Sequence, residues 1–365
     1  MQLRFARIER QPQAVTVEGP STLRMIVDSA VDVAERRLRC RDLGGWAYSK
    51  SRPRTHAPTE RTTMKACSNA WYSLVLPTAA LFSGAAVAAT VEKTADIEYA
   101  RVADTPLKLD LYQLAGTSGS PLLVWVHGGA WERGSKEPMP LTALVERGYA
   151  IASLDFSPAS KAPFPGQVHE IKAAVRFLRS QATRYGFDAT RIGILGASSG
   201  GHLAALVGVT NGHPALEGTL GDHDDTSSDV QAIVSYFGAS NLTTILKQST
   251  PFGLNIREPS LKVLLGAAPA ENETVARLAS PVFQVDASDP PLLLLHGDQD
   301  PQMPINQSHE LQGAYDERGL DAAFVVVHGA VHGGDQFYDA KRTEIVAAFL
   351  NENLRRELTS DSAQR

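Results

Sequence analysis

The stretch Gly196-Ala197-Ser198-Ser199-Gly200-Gly201 decides how the rest of this 365-residue chain is interpreted. The apolar residues Ile192, Ile194 and Leu195 come directly before it and are typical of a short buried strand. A second apolar run, residues 202–207, follows it and contains neither proline nor glycine, so it is able to open a helix. The stretch therefore predicts a sharp turn between a strand and a helix.

The glycine spacing within this turn selects one of its two serines. In so tight a turn, side chains on either flank of the central serine would collide, so both flanking positions require glycine. Ser198 has Gly196 and Gly200 at these positions, whereas Ser199 would need a glycine where Ala197 stands. A Gly-x-Ser-x-Gly turn leaves the serine hydroxyl exposed in front of a helix N-terminus. Ser198 is therefore the predicted nucleophile, and a glycine-rich turn without chemistry is the alternative for the pentapeptide alone.

The N-terminal part of the chain differs in composition from the rest. Residues 1–63 hold twelve Lys and Arg against seven Asp and Glu, although the whole chain has a net charge of −5. Residues 64–89 start with Met64 and Lys65, continue with an apolar stretch and end in small residues, which is the pattern of a secretory signal peptide. We therefore expect residues 1–63 to be an upstream extension and the mature protein to be exported. A basic N-terminal domain with a linker, or a membrane anchor, is the alternative.

Composition argues against several classes of function for residues 90–365. They include 22 basic and 33 acidic residues, a net charge of −11, which disfavours nucleic acid as a partner. The two cysteines of the chain, Cys40 and Cys67, come earlier, so this part has no disulfide and no thiol nucleophile. Pro77 and Gly84 interrupt the apolar stretch before it, so we expect no stable membrane anchor. No His, Cys or Asp cluster has metal-ligand spacing, and we expect no metal or other cofactor.

Strand and helix patterns alternate along residues 90–365. Apolar runs predict strands within residues 94–114 (two strands around a turn), 122–126, 149–154, 192–195, 232–237, 292–295 and 323–327. Helical spacing predicts helices at residues 140–147, 166–186, 202–207, 305–318 and 336–358. This alternation predicts an α/β fold with a mostly parallel central sheet and helices on both faces.

Three further expectations concern the segments between the strands. In helix 166–186 the apolar stripe turns Lys172, Arg176 and Arg179 outward to solvent. Residues 211–229 are expected to form a loop whose acidic cluster is more typical of a solvated surface than of a cation site. Residues 238–281, which are irregular with short helical pieces, are expected to form a small cap over the site.

Candidate partners for Ser198 follow the last two predicted strands. A serine hydroxyl needs a base to become a nucleophile at neutral pH, and the base needs an orienting carboxylate. Asp298 and Asp300 follow the first of these strands, and His328 and His332 follow the second. All of them are expected at the carboxyl edge of the sheet. His332, which follows a glycine turn and reaches further, is preferred as the base over His328, which ends its strand and is more typical of a wall residue. Asp300 and Asp298 are the alternative candidates for the acid at this point.

The stretch His127-Gly128-Gly129-Ala130-Trp131 follows the strand at residues 122–126. A tetrahedral intermediate of acyl transfer needs backbone N–H donors for its oxyanion, and glycine lets the backbone approach a ligand closely. We expect the N–H groups of Gly129, Ala130 and Ser199 to form an oxyanion hole. Trp131 and Phe164 are expected to contact the substrate.

Residues 97–354 resemble the esterase and lipase branch of the α/β-hydrolases that carries an H-G-G-x-W oxyanion turn. Within that branch they are most similar to the bacterial feruloyl and acetyl-xylan esterase type. Five stretches carry the resemblance: residues 127–131, 162–165, 196–205, 296–301 and 329–333. The resemblance implies an α/β-hydrolase fold and a triad of Ser198, Asp300 and His332. Relatives usually carry Tyr-Arg where this chain has Phe156-Ser157, and valine where it has Met303.

The sequence therefore predicts an exported serine carboxylic-ester hydrolase that acts on short-chain, acetyl or feruloyl esters. Its partner would be a small-molecule or carbohydrate-linked ester. One alternative is an arylformamidase-like amide hydrolase, which shares the H-G-G-x-W turn. The other is a non-catalytic binding module of the same fold, for which loss of a triad residue would be expected; no such loss is seen in this sequence.

Overall fold

The computed structural model describes residues 90–355. The predicted upstream extension, residues 1–63, and the predicted signal peptide, residues 64–89, lie outside the described residues and stay predictions. None of the helices described within residues 90–355 has the length and apolar character needed to cross a membrane.

Eight strands form one sheet. They are β1 Val91–Val102, β2 Thr105–Leu114, β3 Ser120–Val126, β4 Ala150–Leu154, β5 Phe187–Ala197, β6 Ala232–Tyr236, β7 Leu292–Gly297 and β8 Ala322–Val327. The sheet order is β1-β2-β4-β3-β5-β6-β7-β8. Strand β2 pairs antiparallel with β1 and β4, and the remaining neighbours pair in parallel. The predicted mostly parallel sheet is confirmed, and the carboxyl ends of β3 to β8 share one edge.

Helices connect these strands. They are α1 Thr142–Val145, α2 Gly166–Ser180, α3 Ala182–Tyr185, α4 Ser199–Gly208, α5 Pro214–Glu217, α6 Ile245–Gln248, α7 Pro251–Leu265, α8 Glu273–Leu278, α9 Asn306–Asp316 and α10 Ala340–Leu354, with 3₁₀ turns at Pro281–Phe283 and Asp335–Phe337. The predicted cap, residues 238–281, contains α7, a longer helix than the short pieces that the sequence predicted. Pro259 lies inside α7. Because proline normally ends a helix, the sequence pattern does not predict one continuous helix here.

The side chains of β3 alternate between two buried clusters. Leu122, Val124 and Val126 belong to one buried apolar cluster, which also contains side chains of α2 and α4. Leu123 and Trp125 belong to a second cluster, with side chains of α1 and α10. Because successive strand residues point to opposite faces, helices cover both faces of the sheet, as predicted.

The prediction that Lys172, Arg176 and Arg179 face solvent is wrong. Lys172 and Arg176 are 0% and 1% exposed, and Arg179 is half-buried. The Lys172 Nζ and Arg176 Nη1 atoms lie 2.9 and 3.0 Å from carboxylate oxygens of Glu217 in α5. The segment 211–229, predicted as a plain loop, therefore packs over this side of α2 and supplies its counter-charge.

We predict that Glu217→Gln lowers the free energy of unfolding by about 3 kcal/mol, because removing one partner leaves buried charges uncompensated. This is the lower end of the expected range, since the Glu217 side chain is itself 27% exposed. Glu98→Gln is the matched control, because the Glu98–Arg101 pair is exposed and such pairs contribute about 0–1 kcal/mol. Urea unfolding of both variants measures the difference, and equal small losses would contradict the buried-pair interpretation.

Candidate active site

Ser198 lies at the turn between β5 and α4. Its backbone angles are φ 57° and ψ −121°, a region that residues other than glycine rarely adopt. The Ser198 N–H donates to the carbonyl oxygen of Tyr236 at 2.9 Å, which ties the turn to the end of β6. The strained serine is therefore held in place by the neighbouring strand.

Two glycines make this turn possible. A Cβ atom on Gly196 would lie 2.2 Å from the carbonyl oxygen of Gly200. A Cβ atom on Gly200 would lie 2.2 Å from the carbonyl oxygen of Val126, at the end of β3. Both separations are far shorter than van der Waals contact. The collision predicted from the glycine spacing is confirmed, and the second contact brings the N-terminus of α4 directly against β3.

Ser198, His332 and Asp300 form a continuous hydrogen-bond chain. The Ser198 Oγ lies 2.8 Å from Nε2 of His332, and Nδ1 of His332 lies 2.6 Å from Oδ2 of Asp300. Because Nδ1 faces a carboxylate, it carries the imidazole proton, and Nε2 is left to accept a proton from the serine hydroxyl. These distances are those that a nucleophile, its base and an orienting acid require.

Asp300 is buried, and both of its carboxylate oxygens have partners. Its Oδ1 accepts hydrogen bonds from the backbone N–H groups of Gln302 and Met303 at 2.8 and 2.9 Å. Burial by itself raises the pKa of Asp300, but the nearby imidazole of His296 and the hydrogen bond from His332 outweigh it and hold the pKa well below the usual range. Asp300 is therefore ionised at neutral pH.

The alternative candidates, Asp298 and His328, pair with each other. The His328 Nδ1 lies 2.8 Å from Oδ2 of Asp298, and the backbone N–H of Gly329 donates to Oδ1 at 2.8 Å. The side chain of His328 is 60% exposed, and neither residue lines the cavity above Ser198. The geometry thus favours Asp300 over Asp298 as the acid, and His328 is not the wall residue that the sequence suggested.

Gly129, Ala130 and Ser199 line the same cavity as Ser198. Within residues 90–355, the backbone N–H groups of Gly129 and Ala130 donate to no acceptor. Ser199 is the first residue of α4, where backbone N–H groups have no partner inside the helix. Gly129 has φ 131°, and a Cβ there would lie 2.0 Å from the carbonyl oxygen of Arg133, so only glycine fits. The expected oxyanion donors are thus gathered around one cavity.

The turn that carries Gly129 and Ala130 is strained, and Trp131 holds it in place. Ala130 and Trp131 have φ 54° and 63°, a left-handed conformation that costs about 1–2 kcal/mol per residue. The Trp131 Nε1–H donates to Nδ1 of His202 at 3.0 Å, and the His202 Nε2–H donates to the carbonyl oxygen of Ala279 at 2.7 Å. Burial lowers the pKa of His202 to about 4, so His202 is neutral and its Nδ1 accepts. The Gln167 side chain donates to the Trp131 carbonyl at 2.8 Å.

The cavity above Ser198 has a volume of about 390 Å³ and is walled on one side by Ile256, Arg257 and Ser260 of α7. Trp131 lines it but is 2% exposed, so it forms a wall more than a free contact surface. Phe164 does not line the cavity, and its N–H donates to the carbonyl oxygen of Leu264 at 2.9 Å. The structure therefore gives no support to the predicted contact between Phe164 and the substrate.

Three residues around the triad were missed by sequence reasoning. The ring of Phe237 packs edge-on against the ring of His332, with 4.9 Å between centroids. The Nε2 of His296 lies 3.5 Å from Oδ2 of Asp300, and His202 supports Trp131 as described. His202 and His296 both lie inside stretches that carry the family resemblance, which is the one signal that could have identified them.

Within residues 90–355, no group of three or more His, Cys, Asp and Glu side chains is arranged to hold a metal ion.

Comparison with known proteins gives one family and several esterases. The family model described as BD-FAE matches residues 109–315. Esterase LipC of Mycobacterium tuberculosis is 30% identical over 244 residues, which are 65% of this chain and 59% of LipC. Isoprenylcysteine alpha-carbonyl methylesterase ICME of Arabidopsis thaliana is 30% identical over 233 residues, which are 62% of this chain and 53% of ICME. The match thus spans little more than half the length of these curated relatives.

For two similar solved structures, the match covers almost the whole chain of the known protein. A truncated form of a carbohydrate esterase from gut microbiota is 31% identical with a TM-score of 0.63, and the match covers 73% of this chain and 96% of that one. Propionate-bound Est2, an esterase of the Planctomycetes species Thermogutta terrifontis, is 26% identical with a TM-score of 0.57, and the match covers 73% and 94%. The predicted α/β-hydrolase fold is confirmed, and because the family model matches more than half of its residues, the chain belongs to the BD-FAE family.

Proposed function

We propose that this protein hydrolyses carboxylic esters, with Ser198 as nucleophile, His332 as general base and Asp300 as the orienting acid. The observation that carries the proposal is the hydrogen-bond chain from Ser198 Oγ through His332 to Asp300, with distances of 2.8 and 2.6 Å. The esterase names of the similar proteins support the same class of bond. Hydrolysis of a panel of esters by the purified protein tests the proposal, and no turnover of any ester would contradict it.

In the first half-reaction, the Ser198 oxygen attacks the carbonyl carbon of the ester while Nε2 of His332 takes the hydroxyl proton. The ionised Asp300 stabilises the imidazolium that forms, because it accepts the hydrogen bond from Nδ1. The negative charge that develops on the substrate oxygen is stabilised by the backbone N–H groups of Gly129, Ala130 and Ser199. His332 then protonates the leaving alcohol, and the acyl group remains on Ser198.

In the second half-reaction, His332 takes a proton from water, and the resulting hydroxide attacks the acyl group on Ser198. Collapse of the second intermediate releases the carboxylic acid and restores the serine hydroxyl.

The cavity of about 390 Å³ is our reason to propose a small acyl group such as acetyl, and feruloyl is the larger candidate. A carbohydrate esterase among the similar structures supports a carbohydrate-linked ester, with a small-molecule ester as the other candidate.

We predict that Ser198→Ala lowers kcat by at least about a thousandfold, because it removes the attacking oxygen. Ser199→Ala is the matched control, because position 199 contributes its backbone N–H, which alanine keeps; a loss below about tenfold is expected. Both are measured on p-nitrophenyl acetate, with melting curves to show that each variant is folded. An inactive Ser199→Ala beside an active Ser198→Ala would show that the nucleophile had been misidentified.

We predict that Asp300→Asn lowers kcat by at least about a thousandfold, because an amide in this place favours the wrong tautomer of His332. Asp298→Asn is the matched control on the same loop. Asp298 contacts the exposed His328 and a backbone N–H that an asparagine oxygen also accepts, so a loss below about tenfold is expected. A larger loss of kcat in Asp298→Asn than in Asp300→Asn would identify Asp298 as the orienting acid.

We predict that Trp131→Phe lowers kcat about ten- to a hundredfold with a smaller change in KM. The exchange removes the N–H that ties the strained turn to His202, and oxyanion donors act mainly on the transition state. Trp125→Phe is the matched control, because the buried indole nitrogen of Trp125 has no partner within residues 90–355. A rise in KM with kcat unchanged would instead make Trp131 a substrate contact.

A further inference from the structure

Helix α7 brings a buried cation to the wall of the cavity above Ser198. Arg257 is 4% exposed, and its Nε and Nη2 atoms are enclosed without a hydrogen-bond partner from residues 90–355. Its Nη1 is the nitrogen that remains accessible, and Arg257 lines the cavity. Burial of an unpaired charge is strongly unfavourable, so we look for a partner of this guanidinium that reaches it through the cavity.

The helix that carries Arg257 is fixed at both ends. At its start, the Thr250 hydroxyl donates to the carbonyl oxygen of Pro301 at 2.6 Å, on the loop that carries the proposed acid. At its end, the carbonyl oxygen of Leu264 accepts the N–H of Phe164 at 2.9 Å. Arg257 therefore has a defined position relative to the triad before any substrate enters.

The charge around this cavity is positive, although residues 90–365 carry a net charge of −11. Its lining contains Arg257 and Arg133 and no acidic side chain from the described chain. Within residues 90–355, Arg257 forms no hydrogen bond or ion pair with Asp300, although the negative charge of Asp300 favours the charged guanidinium. Burial lowers the pKa of Arg257 to about 10, against the opposite effect of Asp300, so Arg257 is charged at neutral pH.

We infer that Arg257 binds a carboxylate of the substrate, so that the preferred esters carry a free carboxylate in their acyl or alcohol part. Half-esters of dicarboxylic acids and acyl esters of hydroxy acids or uronic acids belong to this class. A guanidinium presents several N–H donors in one plane and matches a carboxylate better than any other side chain does. The inference rests on the proposed ester hydrolysis and names the substrate class for the same site.

Two pairs of esters test the inference, each differing only in a carboxylate oxygen replaced by a methyl group. In the first pair, ethyl hydrogen succinate carries the carboxylate on the acyl side, and ethyl levulinate is its neutral counterpart. In the second pair, acetoxyacetate carries the carboxylate on the alcohol side, and acetoxyacetone is its neutral counterpart. In at least one pair, the wild-type kcat/KM should favour the anionic ester about tenfold or more, as expected for a hydrogen-bonded ion pair. Arg257→Gln should reduce that ratio at least about tenfold. Arg133→Gln is the matched control and should keep most of the ratio, because Arg133 is exposed.

Several results would overturn the inference while the proposed function stands. Hydrolysis of the neutral esters without any wild-type preference would do so, as would a preference that Arg257→Gln leaves unchanged. Equal losses on both members of a pair would show that Arg257 acts through Asp300 and not on the substrate. If the preference for the anionic ester disappears in Arg133→Gln, the exposed Arg133, not Arg257, binds the substrate carboxylate.

A binding measurement keeps the test independent of catalysis and of how Arg257 variants fold. Calorimetric titration of Ser198→Ala with ethyl hydrogen succinate and with ethyl levulinate compares the two ligands without turnover. Binding of the anionic ligand about tenfold tighter or more supports the inference, and equal binding overturns it. If no ester is hydrolysed by the wild type, the proposed function fails, and this titration still decides whether the cavity binds a carboxylate.

Discussion

The backbone of Ser198, with φ 57° and ψ −121°, is the constraint on which the rest of the site depends. It is possible because Gly196 and Gly200 carry no Cβ atoms, and the same absence lets α4 approach the end of β3. That approach sets the first N–H groups of α4 beside the turn that follows β3, which carries Gly129 and Ala130. One packing arrangement therefore exposes the serine hydroxyl and gathers the backbone donors around it. The strain is local, and the hydrogen bond from Ser198 to Tyr236 and the buried sheet below it hold it in place.

The buried polar groups around this turn differ in how completely they are hydrogen-bonded. Asp300 has hydrogen bonds to both oxygens, and His202 links Trp131 to the carbonyl of Ala279 through both ring nitrogens. Satisfied groups of this kind fix the positions of the triad and the donors before a substrate arrives, so little reorganisation is needed during the reaction. Arg257 is different, because its enclosed nitrogens have no partner among residues 90–355. A fixed cation with unpaired nitrogens is suited to binding an anionic ligand, and it does not stabilise the fold.

The parts of the fold and site that could be predicted are those with local signals. The spacing of Gly196 and Gly200 identifies the turn, and Asp300 and His332 each follow an apolar run that ends at the sheet edge. The remaining features depend on partners far away in the sequence. The helical periodicity predicts Lys172 in solvent, because its partner Glu217 lies 45 residues later in a segment with the composition of a loop. His202 bonds to a carbonyl 77 residues away, which no periodicity reveals. Helix α7 was missed because Pro259 interrupts its pattern, and the burial of Arg257 follows from how that helix packs.

The central claim is that Ser198 carries the acyl group, and covalent labelling tests it most directly. The purified protein would be treated with a fluorophosphonate, which phosphonylates activated serines, and the site would be located by fragmentation mass spectrometry. We expect one adduct per chain, on Ser198 and not on the adjacent Ser199, with loss of ester hydrolysis in proportion to labelling. An adduct on another residue that accounts for the lost activity, or full ester hydrolysis by protein labelled on Ser198, would contradict the account.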